Sequence, residues 1–86
     1  MATNLVIPES ILKRLNDLPK EVRIKFWEQL ERLLANPSYP GLRNEKLKGT
    51  DQWAFSITMN YRVTYIRAEM AIIITAIGPH KEILGD

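Results

Sequence analysis

A chain of 86 residues, 45% hydrophobic and 26% charged, fits one compact domain and leaves too little length for two ordinary domains or a large multi-site enzyme. With no cysteine and a single histidine, His80, disulfide frameworks, thiolate zinc sites, cysteine nucleophiles and histidine metal clusters are excluded, and no metal or other cofactor is expected. The longest apolar stretch, Met70 to Ile77, is broken by Thr75 and falls far short of the ~20 residues a membrane helix needs. No basic region followed by an apolar core opens the chain, so a cytoplasmic protein that does not span a membrane is expected. The net charge of +2 is mild, but residues 37–68 carry Arg43, Lys46, Lys48, Arg62 and Arg67 against only Glu45 and Asp51. That imbalance would steer a polyanion to the middle of the chain, although a solvated face of a small basic protein explains it equally well.

A short extended start, Thr3 to Ile7, precedes Pro8, after which Ile11, Leu12, Leu15 and Leu18 recur at helical spacing. Pro19 interrupts that helix and opens a second one. In it Val22, Phe26, Leu30 and Leu33 form a stripe, Ile24, Trp27 and Leu34 widen it, and Asn36-Pro37 stops it. So broad a stripe predicts that the second helix lies between the first helix and a sheet. From Pro37 to Gly49 the chain reads as a surface loop rich in Pro, Gly and basic residues. Trp53, Phe55 and Ile57 then alternate with Ala54, Ser56 and Thr58, and Val63 and Tyr65 alternate with Arg62, Thr64 and Ile66 in a second strand, Arg62 to Arg67. Keeping both apolar sets on one face puts Thr58 opposite Arg62 across the connection Met59-Asn60-Tyr61. A third strand, Met70 to Ile77, is apolar at nearly every position, as a central strand covered on both faces would be. The expectation is a single α+β domain over residues 1–86, with an N-terminal strand and a two-helix hairpin packed on a small, mainly antiparallel sheet.

The outward face of that sheet would carry Ala54, Ser56 and Thr58 beside Arg62 and Thr64, a polar floor with one strong cation, bordered by the basic loop. Gly78-Pro79 ends the third strand and places His80 just beyond it, within reach of Arg62. Such a pair could hold a phosphate.

The order of elements, together with NPxxPGL at residues 36–42, a following LKG, the W-x-F-x-I strand, YRVTYI and IGPH, resembles the RelE/ParE superfamily of bacterial toxin-antitoxin toxins over essentially the whole chain. The resemblance implies a small α+β toxin neutralised by a cognate antitoxin. In RelE-like branches such toxins cleave mRNA in the ribosomal A site, and in the ParE-like branch they inhibit DNA gyrase. By the same resemblance Arg62 matches the strand arginine that holds the scissile phosphate, and His80 matches the catalytic histidine of YoeB-like nucleases. Glu45 and Lys48 match the glutamate and lysine that precede the hairpin. Ala54 and Ser56 stand where the RelE branch has two lysines, and Lys81 and Leu84 stand where a terminal tyrosine is common, so catalysis is expected to be weak or differently arranged.

Metal-free RNA cleavage needs a base for the 2′-hydroxyl, a cation for the developing phosphorane charge and an acid for the leaving 5′-oxygen, roles that Glu45, Arg62 and His80 could fill. Arginine suits the middle role because its planar donors pair with two phosphate oxygens at once, and histidine suits the last because its ordinary pKa lies near neutrality. Arg43, Lys46, Lys48 and Lys81 would add phosphate contacts, and Tyr61 would stack on a base. Structural alternatives stand beside each role: a cross-strand ion pair for Arg62, a solvated loop acid for Glu45, a strand-end cap for His80 and packing against the sheet edge for Tyr61. The leading expectation is a ribosome-dependent or free mRNA endoribonuclease toxin that acts on mRNA and is silenced by its antitoxin. The alternatives are a non-enzymatic, ParE-like inhibitor of a protein such as gyrase, and a degenerate toxin that only binds its antitoxin.

Overall fold

Proline opens each of the first two helices in the computed structural model, which describes residues 4–84. Pro8 and Pro19 occupy the N-cap positions of α1 (Glu9–Asn16) and α2 (Lys20–Ala35), where a missing N–H costs no hydrogen bond. Their carbonyls accept the first intrahelical bonds, from Leu12 N–H at 3.1 Å and Arg23 N–H at 3.0 Å. At its other end α2 stops on Asn36, which is extended as a residue preceding proline tends to be.

Strand β1 is Asn4–Val6; Thr3, the first residue of the expected N-terminal strand, lies outside the described residues. β1 pairs in parallel with β5 (Ala71–Pro79), with Asn4 opposite Ala71 and Val6 opposite Ile73. The remaining pairs, β5 with β4 (Tyr61–Ala68), β4 with β3 (Gln52–Ser56) and β3 with β2 (Glu45–Lys46), are antiparallel, so the sheet runs β1-β5-β4-β3-β2. A short helix, α3 (His80–Leu84), follows. The α+β architecture is therefore as expected, and the sheet is antiparallel but for one pair.

One face of this sheet meets α2. Phe26, Leu30 and Leu33 pack with Phe55, Ile57, Val63, Tyr65, Ile74 and Ile77 in a single buried cluster, which follows the strand alternation read from the sequence. Each such side chain removed from water contributes about 1.5–3 kcal/mol. Ile74 and Ile77 both reach this core although they are three residues apart. A bulge makes that possible, because the register shifts between Thr64 and Tyr65 and leaves Thr75 as the extra residue. The Thr75 hydroxyl is held by Thr64 Oγ1 at 2.8 Å and Gln52 Oε1 at 2.7 Å.

Several expectations are corrected. α2 is not sandwiched between α1 and the sheet: α1 packs directly on β5, where Arg14 Nε donates to the Ile77 carbonyl at 2.8 Å. The broad stripe of α2 consequently divides. Val22, Phe26, Leu30 and Leu33 are buried while Ile24, Trp27 and Leu34 are exposed, since a helix lying on one surface buries only a stripe of roughly 100°. The stretch from Pro37 to Gly49 is more than a loop, for it holds a 3₁₀ turn, Pro40–Leu42, pinned by the fully buried Leu42, and the edge strand β2. Across the hairpin Ser56, not Thr58, faces Arg62. A slip of two residues keeps every side chain on its expected face, and the turn from Ile57 to Asn60 is closed by Ile57 N–H donating to the Tyr61 carbonyl at 2.9 Å. β5 is interior, but β4 holds the middle of the sheet, and β5 continues through Gly78 and Pro79, which pair with Arg62 and Tyr61. No helix among the described residues is long and apolar enough to cross a membrane.

Candidate active site

Alternation along β4 sends Val63 and Tyr65 to the helices and Arg62 and Thr64 to the opposite face, but that face is not the open polar floor that alternation alone suggests. Arg62 is 5% exposed, Ser56 6%, Thr64 6% and Ala54 0%. The segment before β2 reaches Arg62 from the side. Its Nη2 donates to the Arg43 carbonyl at 3.2 Å, its Nη1 donates to Ser56 Oγ at 3.3 Å, and Glu45 Oε2 stands 4.0 Å from Nη2. Nε is buried and has no partner among the described residues. Burial pushes the guanidinium pKa below its ordinary value; Glu45 opposes the shift and Arg43 adds to it. Arginine starts so high that the group remains charged at neutral pH. The result is a buried cation holding an unused donor, a costly state unless an anion completes it.

Arg43 is itself unusual. It ends the 3₁₀ turn in the left-handed region, with φ 51°, which strains a residue bearing a Cβ. That conformation presents its carbonyl to Arg62.

His80 begins α3 at the end of β5. Its backbone N–H donates to the Asn60 carbonyl in the hairpin turn at 2.7 Å. α3 is tethered to α1 through Arg14, which ion-pairs with Glu82 while donating to Ile77. This arrangement brings His80 and Arg62 into one open cleft of about 490 Å³, lined also by Arg43, Ser56, Met59, Asn60, Pro79 and Lys81.

Four of the candidate residues, Arg43, Arg62, His80 and Lys81, thus share a cleft. Glu45 does not line it and sits beside Arg62, its side chain 59% exposed. Lys46 lies opposite Trp53, on the helix-facing side of β2, and Lys48 is exposed in the turn beyond β2. Tyr61 precedes Arg62 on β4 and therefore points the other way: it packs against the core and lines a separate hollow with Arg14, Asp17, Leu18, Pro79 and Glu82. Lys46, Lys48 and Tyr61 are not brought to the cleft.

Sequence reasoning missed Gln29. It is 3% exposed and donates Nε2 to the carbonyls of Gly41 at 3.1 Å and Ser56 at 2.9 Å, tying α2 to both sides of the site. A polar residue inside the apolar stripe Phe26-Leu30-Leu33 is the signal that could have found it. A buried guanidinium facing an exposed imidazole across a cationic cleft is equipped to hold a phosphodiester and to move a proton next to it.

No protein-family model matches the chain, and no curated protein sequence matches it significantly. Solved structures do. The chain is similar to the archaeal RelE-RelB complex of Pyrococcus horikoshii, with 27% identity, coverage of 92% of this chain and 96% of that one, and a TM-score of 0.76. It is also similar in fold to an Escherichia coli RelE toxin mutant in the free state (23% identity, 96% and 88% covered, TM-score 0.74) and to the YoeB-YefM complex of Staphylococcus aureus (20%, 93% and 99%, 0.73).

Proposed function

We propose that this chain, which carries the RelE/ParE superfamily toxin fold, is the toxin of a type II toxin-antitoxin system and acts as a metal-independent mRNA endoribonuclease. The observation that supports this reading most is the buried Arg62, with its unpartnered Nε, sharing a cleft with His80. In the proposed reaction Arg62 holds the non-bridging oxygens of the scissile phosphate and stabilises the charge of the phosphorane. The carboxylate of Glu45, 4.0 Å from Arg62 Nη2, takes the proton of the 2′-hydroxyl. As the O2′–P bond forms and the P–O5′ bond breaks, His80 delivers a proton to O5′. The products are a 2′,3′-cyclic phosphate and a 5′-hydroxyl end, so no oxidant or co-reactant is consumed. Arg43 and Lys81 hold neighbouring phosphates, and the ribosome presents the message. A cognate antitoxin, like those in the RelE-RelB and YoeB-YefM complexes, keeps the toxin silent in the cytoplasm.

The test is to map new 5′ ends on cellular mRNA after inducing wild type, Arg62→Ala and His80→Ala, each confirmed to be folded. Cleavage should fall by roughly 10²–10³-fold for Arg62→Ala and about 10²–10⁴-fold for His80→Ala. Growth inhibition that survives both changes without new 5′ ends would instead support a non-enzymatic inhibitor of a protein target. A folded wild type that is harmless without an antitoxin would remove the toxin reading.

A further inference from the structure

Beside the cleft of Arg62 and His80 lies a second open cleft of about 360 Å³ that shares Arg43, Ser56 and Met59 with it and is lined also by Lys25, Gln29, Arg32 and Tyr39. Its wall is built rather than incidental. The buried Gln29 spends both donors on backbone carbonyls, and its Oε1 accepts from Arg32 Nη1 at 2.9 Å. That bond helps hold the Arg32 guanidinium over the Tyr39 ring, 5.1 Å from its centroid. Tyr39 in turn is seated against Gly41, where a Cβ would come within 2.9 Å of the ring. Among the described residues hydrogen bonding engages Arg32 through Nη1 alone, which leaves the rest of a pre-oriented fork open to the cleft. Lys25 stands 3.7 Å from Glu28 with both side chains about half exposed, and such a pair yields readily to a competing anion. Among the described residues the lining holds three cations and no carboxylate.

We propose that this second cleft holds the phosphate and base of the nucleotide adjacent to the scissile one, so that Arg43 stands between two consecutive phosphates of a single-stranded RNA. The inference rests on the nuclease reading of the first cleft. Its chemistry is specific to a nucleic acid chain in two respects. An immobilised guanidinium pairs with two oxygens of one phosphate, and a guanidinium plane backed by an aromatic ring is a stacking surface for an unpaired base. Two adjoining cationic clefts also match a polymer that repeats its anion at every residue.

The probe is a fluorescein-labelled 2′-O-methyl hexauridylate, which lacks the attacking hydroxyl. Binding is followed by anisotropy from about 50 to 200 mM salt for wild type, Lys25→Ala/Arg32→Ala, Arg32→Lys, Arg62→Ala and the distant control Lys13→Ala, with circular dichroism confirming each fold. The double variant should bind about tenfold more weakly at the lowest salt, and its slope of log K against log salt should fall by about 0.7, the share of the one phosphate that the second cleft holds on a single strand. Arg32→Lys should keep the slope and lose part of the affinity, and Lys13→Ala should match wild type. If Arg62→Ala weakens binding while the double variant binds as wild type does, the second cleft is not an RNA subsite and the nuclease reading stands. If wild type does not bind the hexamer, or Arg62→Ala binds it unchanged, both readings fall together. If the double variant loses affinity for a glutamate-rich decapeptide but not for the hexamer, the cleft is a protein-docking site and the proposal is overturned.

Discussion

The main-chain carbonyl of Arg43 accepts a 3.2 Å hydrogen bond from Nη2 of the buried Arg62, and Arg43 supplies it from a left-handed conformation, φ 51°. Backbone and side chain of Arg43 therefore have separable duties. Arg43→Gly keeps the carbonyl and removes the strain, which is worth about 1 kcal/mol or more, while adding unfolded-state entropy of similar size. The melting temperature should stay within a few degrees of wild type, and, on the proposal that the Arg43 side chain holds a phosphate, cleavage should slow and become less salt-sensitive. Thermal unfolding and cleavage measured on the same preparation check this. A collapse in melting temperature would mean that the Arg43 side chain, not its backbone, holds the segment.

Arg62 is the second case of stability set against activity. Its charge is buried with one donor unpartnered and its nearest carboxylate 4.0 Å away, so an apolar side chain of similar length should be better tolerated than the arginine. Arg62→Met should raise unfolding free energy by about 1–3 kcal/mol in urea denaturation while abolishing cleavage. Because burial lowers the pKa of Arg62 in the folded state, the unfolded chain binds this proton more tightly, and the penalty is fully present below the folded pKa. The stability gap between Met variant and wild type should be flat from about pH 5 to 9 and narrow only as pH rises through that folded value. A gap that widens with pH would assign the penalty to another group.

Gln29→Leu fits the apolar stripe of α2 but strands the carbonyls of Gly41 and Ser56, both of which accept from Gln29 Nε2. The expected loss is about 2–4 kcal/mol, for two acceptors without partners. Urea denaturation decides the matter, and a loss below about 1 kcal/mol would show that water replaces the amide.

Gly78→Ala tests the tether of α3. A Cβ at Gly78 would stand 3.0 Å from Glu82 Oε2 and 3.1 Å from Arg14 Nη2. These are the ends of two flexible side chains, so the sheet should survive with little change in melting temperature while the ion pair opens and His80 loses its fixed position. Cleavage should slow several-fold, with a changed imidazole resonance for His80 in the NMR spectrum. An unchanged resonance would separate the tether from the site.

Most of the fold could be read from residue order, and half of the candidate residues share the cleft of Arg62 and His80. Strand alternation assigned Phe55, Val63 and Tyr65 to the core and Arg62 to the opposite face, because the period of two survives an error of two in register. It could not give the burial of Arg62, which depends on a two-residue edge strand formed from a segment without periodicity. Tyr61 falls in the expected connection Met59-Asn60-Tyr61, to which alternation does not apply; once β4 begins at Tyr61, adjacency to Arg62 itself dictates that it faces away. The bulge at Thr75 left no trace in a run of apolar residues, since alternation is invisible where every position is apolar. Arg32 and Tyr39 meet only because the 3₁₀ turn folds back toward α2, a tertiary event without local signature.

The parallel pairing of β1 with β5 has a consequence for when this protein can act. A chain emerging from the ribosome exposes residues 4–6 well before their partners, residues 71–73, so β1 waits without its neighbouring strand while the residues between them are synthesised. Contacts this distant in the sequence complete the edge of the sheet, and they close late because long loops must be closed before such pairs are rewarded. β5 also carries His80 at its end. The strand that finishes the sheet and the residue that completes the cleft thus arrive together, and the growing chain holds no assembled site until then.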